Sequence, residues 1–223
     1  MTERVQPTDL ELAALISSKI CHDVIGPISA INNGLEIFDE EEDAQSKNYA
    51  LDVIRNVTET ASARLQFARF AFGASGSAGA QIDLGNAENL CRGFIGETKD
   101  TTGRQKPSKH KLIWRGIPGT MAKDKVKLLL NLIAQAPTAI PRGGDIEVNI
   151  TGTLETPSFV VRCRGVGARP PQYLGDFVNG PMPPIDAMSI QAYYTLRLAA
   201  SSRMRLAVVK DGADMLLTAK PAP

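Results

Sequence analysis

Apolar residues recur every three or four positions along two long stretches at the start of the chain. The first stretch contains Ile16, Ile20, Val24, Ile28, Ile31, Leu35 and Phe38, and the second contains Ile54, Val57, Ala61, Leu65, Ala68 and Phe72. This spacing predicts two amphipathic helices, each with one apolar stripe. Thr8, followed three residues later by Glu11, predicts a capping box at the start of the first helix. The acidic run at 39–43 predicts a solvated connection between the two helices.

A helical hairpin of this kind has a packing problem. Two helices that contact only each other leave one side of every core residue open to water. Two hairpins from two chains would close a four-helix bundle and cover both stripes. We therefore predict a homodimer.

Beyond residue 80 the pattern changes to shorter segments that alternate along the chain. Helices are predicted at 86–98, 122–135 and 186–201, strands at 111–114, 145–151, 158–164, 204–209 and 215–219, and a Gly/Pro-rich stretch at 165–184. The turn sequence Asp211-Gly212 predicts that the last two strands form a hairpin. Strands interleaved with helices predict a two-layer α/β sandwich. The predicted fold class is α + α/β, with an N-terminal helical hairpin that dimerises into a four-helix bundle and a C-terminal two-layer α/β sandwich.

The charge of the chain is unevenly distributed. The formal net charge is +1, but residues 1–76 carry −6 and residues 77–223 carry +7. The change of sign falls at 73–80, which consists of Gly, Ala and Ser and has the composition of a linker. We predict two domains, at 1–75 and 76–223. The small total gives no electrostatic reason to expect nucleic acid or a membrane as partner.

The overall composition is that of a globular protein, with 43% hydrophobic and 22% charged residues. Cys21, Cys91 and Cys163 are far apart, which is typical of reduced thiols in the cytosol and does not suggest a metal site. Neither an apolar run of membrane-spanning length nor a signal peptide is expected. The sequence therefore predicts a cytoplasmic protein without a metal of its own.

His22 is the strongest candidate for a chemically active residue in the first helix. It lies two residues from Ile20 and from Val24, about 200° around the helix axis from each, so its side chain is expected to face solvent. Asp23 follows it, and Pro27 lies in mid-helix, where it removes a backbone hydrogen bond. A lone histidine at such a place is usually an ordinary surface residue. The surrounding string, however, resembles the phosphorylation box of histidine kinases, His-(Glu/Asp)-x-x-x-Pro.

The order of elements in the second domain resembles the ATPase domain of the same kinases, but its nucleotide motifs are altered. Asn131 aligns with the first Asn of the N-box, whereas Gln135 replaces the Asn that holds Mg²⁺. Cys163 replaces the Asp that reads adenine, and a thiol is a weak acceptor. Residues 187–194 lack the glycines of the second glycine-rich box. We expect no ATP and no other cofactor to be bound.

An intact phospho-acceptor box joined to a disabled ATPase-like domain resembles the dimeric histidine phosphotransferases of alphaproteobacteria. The resemblance is strongest over residues 18–36 and covers essentially the whole chain. It implies a phosphorelay in which a receiver Asp of a hybrid histidine kinase phosphorylates His22, which then phosphorylates response-regulator receiver domains. Relays of this type, from CckA to CtrA and CpdR, control the cell cycle. The receiver is expected to supply Mg²⁺.

The resemblance also suggests roles for the residues around His22. Asp23 is expected to orient His22 or accept its proton, Pro27 to shape the helix, and Lys19 to balance phosphoryl charge. A surface of Lys19, Ile25, Ser29 and Asn33 is the expected docking site for receiver domains.

Two alternatives to the phosphotransferase stay open: an active kinase with divergent ATP boxes, and a dimeric scaffold whose His22 is never phosphorylated. The basic segment 104–111 favours an acidic partner unless it is only a solvated loop, and His110 within it is predicted to lie at the surface.

Overall fold

Residues 6–73, 80–98, 103–180 and 182–222 are described by the structure, a computed structural model. The chain begins with α1 (Asp9–Glu40), α2 (Ala44–Ala71), β1 (Gln81–Asp83), α3 (Leu84–Ile95), β2 (His110–Arg115), β3 (Thr120–Ala122) and α4 (Lys123–Ala139). It continues with β4 (Gly144–Gly152), β5 (Pro157–Arg164), α5 (Gln172–Asn179), α6 (Ile190–Ser201), β6 (Met204–Asp211) and β7 (Asp214–Pro221). The predicted order of a helical hairpin followed by an α/β sandwich is confirmed.

The ends of the two long helices are set by side chains that satisfy free backbone groups. The hydroxyl of Thr8 accepts from the backbone N–H of Glu11, and the carboxylate of Glu11 accepts from the backbone N–H of Thr8, so the predicted capping box is present. The connection is shorter than predicted, because α1 continues through 39–40 and only 41–43 join the helices. Asp43 caps α2 by accepting from the backbone N–H groups of its first turn.

The two helices of the hairpin approach each other most closely near their connection. Gly34 is buried on α1, and a Cβ atom there would lie 2.7 Å from Cγ1 of Ile54 on α2. Only a glycine leaves room for this contact without a shift of one helix. Gly34 therefore allows close packing of α1 against α2 at this position.

The sandwich is built on a five-stranded sheet with the order β2-β4-β5-β7-β6, in which only β2 and β4 run parallel. Alternate residues of the central strands point into the core, for example Ile146, Val148 and Val161, while their neighbours lie on the opposite face. Helices α4, α5 and α6 pack against the inner face of the sheet. The terminal hairpin of β6 and β7 is confirmed, with Asp211 paired to Asp214 next to the turn.

The helical hairpin is joined to the sandwich by a shared apolar core. Phe67 near the end of α2 stacks on Phe94 of α3, with ring centroids 4.1 Å apart. The side-chain Nδ2 of Asn131, fully buried on α4, donates to the carbonyl oxygen of Ala71 at 3.0 Å. The predicted domain boundary at 75/76 stays a prediction, and residues 74–79 of the expected linker lie outside the described residues.

Three elements were not predicted from the sequence. Strands β1 and β3 are three residues each and pair antiparallel with each other, although α3 and β2 lie between them in the chain. Helix α5 lies within the Gly/Pro-rich stretch 165–184, for which the sequence pattern predicts no helix. Helix α1 also departs from expectation, because by length and composition alone it suffices to cross a membrane, with a mean hydropathy of 1.2 over 18 residues.

Candidate functional site

His22 lies on the outer face of α1, where the sequence pattern predicted it. Its side chain is 73% exposed, whereas Ile20 and Val24 on the other side of the helix are half-buried. The 3.6-residue period of the helix places position 22 about 200° around the axis from Ile20 and from Val24, and so turns His22 away from their side. An exposed imidazole on a helix can react with a group that another molecule brings to it.

Asp23 contacts His22 and is itself held by a lysine. Asp23 Oδ1 lies 3.4 Å from His22 Nδ1, and both carboxylate oxygens of Asp23 lie 2.5 Å from the Nζ of Lys19, one turn earlier on α1. A proton on Nδ1 that donates to Asp23 leaves the lone pair on Nε2, which is the usual way in which a neighbouring group selects one histidine tautomer. The arrangement therefore favours the tautomer in which Nε2 of this exposed ring carries the lone pair and can act as the nucleophile.

Pro27 lies inside α1 without ending the helix. Because proline has no N–H, the carbonyl oxygen of Asp23, four residues earlier, loses its helical hydrogen bond. Arg64 of α2 donates to this carbonyl oxygen from Nη1 at 3.4 Å. No local sequence pattern points to Arg64. The free carbonyl could have been inferred from Pro27, but the donor lies 41 residues away and depends on how the helices pack.

The four residues expected to dock a receiver domain lie in one region of α1, but they differ in their exposure to solvent. Ile25, Ser29 and Asn33 are exposed, and Ile25 is 62% exposed, which is high for a large apolar side chain. The side chain of Lys19 is only 21% exposed because it turns towards Asp23. Ile25, Ser29 and Asn33 thus form a free surface beside His22, and Lys19 belongs to the interior side of the site.

A cavity of about 400 Å³ lies beneath His22, between the hairpin and the sandwich. Its lining includes Lys19, Asp23 and Arg64 from the hairpin, and Phe94 and His110 from the sandwich. Two cationic side chains, Lys19 and Arg64, and the carboxylate of Asp23 thus meet at one cavity close to His22. Its walls come from both helices of the hairpin and from α3, α4 and α6 of the sandwich.

One expectation for the basic segment was wrong. His110 does not lie at the surface, because it is 9% exposed and its Nε2 lies 3.0 Å from the carbonyl oxygen of Ile140. Most of the segment is exposed. Lys106 is half-buried, and its Nζ lies 2.5 Å from a carboxylate oxygen of Glu59 and 2.9 Å from Oδ1 of Asn56 on α2. Part of the positive charge of this segment therefore binds the acidic hairpin of the same chain.

The residues at the altered nucleotide motifs are buried in the sandwich. Asn131 and Cys163 are fully buried and Gln135 nearly so. Burial raises the pKa of the Cys163 thiol to about 12, so it carries no charge at neutral pH. The sequence aligns Asn131 with the N-box, and a polar residue on the helix surface is the alternative. The structure contradicts the surface position, because Asn131 is buried where α4 packs against α2.

The start of α6, where a kinase would have its second glycine-rich box, is occupied by a side chain of the chain itself. Oδ1 of Asp186 accepts from the backbone N–H groups of Met188 and Ser189, both at 2.8 Å. Hydrogen bonds from the Ser189 backbone and then the Met188 backbone lower the pKa of Asp186. Among the described residues, no group of three His, Cys, Asp or Glu side chains is arranged to hold a metal ion.

An exposed histidine with an adjacent acid on a helical hairpin, followed by an ATPase-like sandwich, is the architecture of two-component phosphotransfer proteins. The sequence model of the family described as "Histidine phosphotransferase C-terminal domain" matches residues 98–214. The chain belongs to the histidine phosphotransferase family.

Two relatives match along nearly the whole chain. Protein phosphotransferase ChpT of Brucella abortus (strain 2308) is 42% identical over 217 residues, which are 95% of this chain and 96% of that protein. A structure described as a bacterial phosphotransferase superposes with a TM-score of 0.84 at 39% identity, and covers 97% of this chain and 98% of its own. Histidine kinases are also structural neighbours, such as ThkA with response regulator TrrA, with a TM-score of 0.47 and 13% identity over 95% of this chain and 62% of that one.

Proposed function

We propose that the chain is a phosphorelay intermediate that carries a phosphoryl group on His22. The donor is a receiver-domain Asp of a hybrid histidine kinase, and the acceptors are receiver domains of response regulators. The observation that carries the proposal is the exposed imidazole of His22 beside Asp23 on the hairpin of a phosphotransferase-family chain. The relative from Brucella abortus is itself named a protein phosphotransferase, which supports the reaction class.

The chemical step follows from the tautomer that Asp23 selects. The Nε2 lone pair of His22 attacks the phosphorus of an aspartyl phosphate in line, the bond from phosphorus to the aspartyl oxygen breaks, and the carboxylate leaves. The Nδ1 proton is held by the carboxylate of Asp23. The phosphohistidine then loses its phosphoryl group to the next receiver Asp by the reverse sequence. Such transfers depend on positioning and positive charge more than on covalent assistance.

The charges around His22 suit this transfer. Lys19 neutralises Asp23, so the carboxylate does not repel the incoming phosphoryl group as an isolated charge would. We expect the receiver domain to bring Mg²⁺, and the proposal gives this chain no cofactor. Receiver docking is assigned to Ile25, Ser29 and Asn33, the exposed surface next to His22, with Lys19 behind it.

The proposal includes a homodimer that forms a four-helix bundle. Positions 10, 14, 17, 21, 24, 28, 31, 35 and 38 of α1 follow each other at alternating steps of four and three, and all but Ser17 are apolar. Leu10, Ile28 and Leu35 on this seam are exposed on the single chain. A seam with this repeat is the kind that a second helical pair covers. It also accounts for the high hydropathy of α1.

The proposal excludes ATP as the phosphate source. The turn just before α6 supports this, because Asp186 already accepts from the backbone N–H groups of Met188 and Ser189 there. The burial of Gln135 and of the neutral thiol of Cys163 supports it as well. The protein would act in the cytoplasm on a relay of the CckA to CtrA and CpdR type, which controls the cell cycle.

The test compares two sources of label. Purified wild-type chain is incubated with radiolabelled ATP alone, and separately with a hybrid kinase already phosphorylated on its receiver. We expect label only with the kinase, and none on the variant His22→Ala. His110→Gln is the matched control, since His110 is the second of two histidines in the chain and is buried.

The other outcomes separate the alternatives. Label from ATP alone would make the chain a kinase. No label from either source would leave the dimeric scaffold, in which His22→Ala changes no partner output. Label on His22→Ala at the wild-type rate would refute the assignment of His22.

A further inference from the structure

The turn of α1 that carries His22 has a backbone defect built into the sequence. Pro27 cannot donate to the carbonyl oxygen of Asp23, and its ring also crowds that carbonyl. An unpaired carbonyl in mid-helix allows the turn to bend, and bends at proline are the commonest sharp kinks in helices. The backbone at Asp23 therefore needs an outside donor to have one fixed conformation.

The donor in the structure is the guanidinium of Arg64 on α2. Its Nη1 lies 3.4 Å from the carbonyl oxygen of Asp23, and its side chain lines the cavity beneath His22. A guanidinium donor gives a charge-assisted hydrogen bond, which is stronger than a neutral one. Asp23 is thus held at both ends, by Lys19 at its carboxylate and by Arg64 at its carbonyl oxygen.

We propose that Arg64 is a positioning residue for phosphotransfer at His22, because it replaces the helical hydrogen bond that Pro27 removes. Arg64 does not touch His22 in the described contacts. It acts through Asp23, whose Oδ1 contacts His22 Nδ1. The inference rests on the proposed function, since it assigns to Arg64 a role in the same transfer step.

The effect of replacing Arg64 should depend on whether Pro27 is present, which a general loss of stability would not produce. If Arg64 serves only the carbonyl freed by Pro27, then Pro27→Ala, which restores an N–H at position 27, makes Arg64 dispensable. The variant Arg64→Met keeps the side-chain stem and removes the donor. We expect it to slow transfer to His22 about tenfold in the wild-type background, and less than about twofold in Pro27→Ala.

Two further variants control for charge and for helix stability. Arg64→Lys keeps a donor and should restore the rate to within about threefold of wild type. Arg55→Met removes an exposed arginine of the same helix, whose Nη1 bonds to Asp52. It should leave the rate unchanged in both backgrounds. All variants are compared at saturating phosphorylated receiver, so that docking does not enter the rate.

A readout that does not require phosphotransfer accompanies the rates. The ¹³C chemical shift of the Asp23 carbonyl reports its hydrogen bond, and Arg64→Met should move it in the wild-type background and hardly in Pro27→Ala. Coupling in both shift and rate supports the proposal. Equal effects of Arg64→Met in the two backgrounds, or coupling of the shift without coupling of the rate, overturn it. If the variants show coupling in the chemical shift but the wild-type chain accepts no phosphate, the proposed function and this role for Arg64 are both refuted. Only the hydrogen bond between Arg64 and the Asp23 carbonyl would then be supported.

Discussion

The amide of Asn131 is the buried polar link between the hairpin and the sandwich, and its replacement by a carboxylate should weaken the fold strongly. Nδ2 of Asn131 donates to the carbonyl oxygens of Ala71 at 3.0 Å and Lys127 at 2.9 Å. In Asn131→Asp both carbonyls would face a carboxylate without a donor. An uncompensated buried charge of this kind costs about 3–5 kcal/mol. For a chain of this size that lowers the melting temperature by about 6–20 °C.

The loss should depend on pH in a defined direction. Only the protonated form of the new carboxyl donates a hydrogen bond and avoids a buried charge, so folding raises its pKa above the unfolded value of about 3.9. The unfolded state then binds fewer protons than the folded state between these two pKa values. The deficit relative to wild type should therefore be largest at neutral pH and shrink as the pH falls through the folded-state pKa.

The assay is urea unfolding followed by the fluorescence of Trp114, the single tryptophan. Asn89→Asp makes the same chemical change at an exposed position of α3 and should unfold within about 0.5 kcal/mol of wild type. If Asn131→Asp is as stable as Asn89→Asp at neutral pH, the account of Asn131 as a structural joint is refuted.

Three further predictions concern the seam, the sheet and the thiols. Leu35→Glu places a charge in the apolar seam of α1 and should convert the dimer to a monomer in light scattering. Asp214→Asn removes the carboxylate that binds Arg162. The hydrogen bond from Arg162, and to a smaller extent that from Arg164, lowers the pKa of Asp214 against the opposing effect of burial. Since a lowered pKa stabilises above the unfolded value, the deficit of Asp214→Asn in urea unfolding should be present at neutral pH. It should begin to shrink near the unfolded pKa of about 3.8 and vanish only below the lower folded-state pKa. Cys21 is exposed on the single chain but lies on the seam, whereas Cys91 and Cys163 are buried. The monomeric variant Leu35→Glu should therefore react with iodoacetamide at Cys21 alone, and unfolded protein at all three thiols.

Each of these predictions has a result that would contradict it. Asn33→Glu adds the same charge away from the seam, so a monomer in both variants would argue against the seam. A deficit of Asp214→Asn that stays constant with pH would exclude the ion pair as its cause. Labelling of Cys163 before Cys21 in native protein would contradict the burial of β5.

Local signals predicted much of this fold because their physical causes are local. The capping box at Thr8 and the turn at Asp211-Gly212 depend on residues within a few positions, and both are present. The exposure of His22 follows from helical periodicity alone. Strands β1 and β3 escaped prediction because each has three residues and is formed by pairing with a partner 39 positions away. Periodicity cannot indicate so short a strand.

The candidate site was predicted in part for the same reason. Asp23 and Lys19 are neighbours of His22 on one helix, so their contact follows from i, i+4 spacing. Arg64 and His110 join the region only through the packing of α2 on α1 and on the sandwich. The basic composition around His110 suggested a solvated loop, but its imidazole is buried against the carbonyl of Ile140. Tertiary contacts of this kind are not encoded in local composition.

The most direct test of the central claim is the location of the phosphoryl group after transfer from a phosphorylated receiver. Radiolabelled chain is digested at alkaline pH, where a phosphohistidine survives, and the labelled peptide is identified by mass spectrometry. The account predicts label on the peptide that contains His22, and acid should release this label. In the undigested chain, the label should also pass to a second receiver loaded with Mg²⁺. Label that resists acid, or that lies on the peptide of His110 or elsewhere, would contradict it.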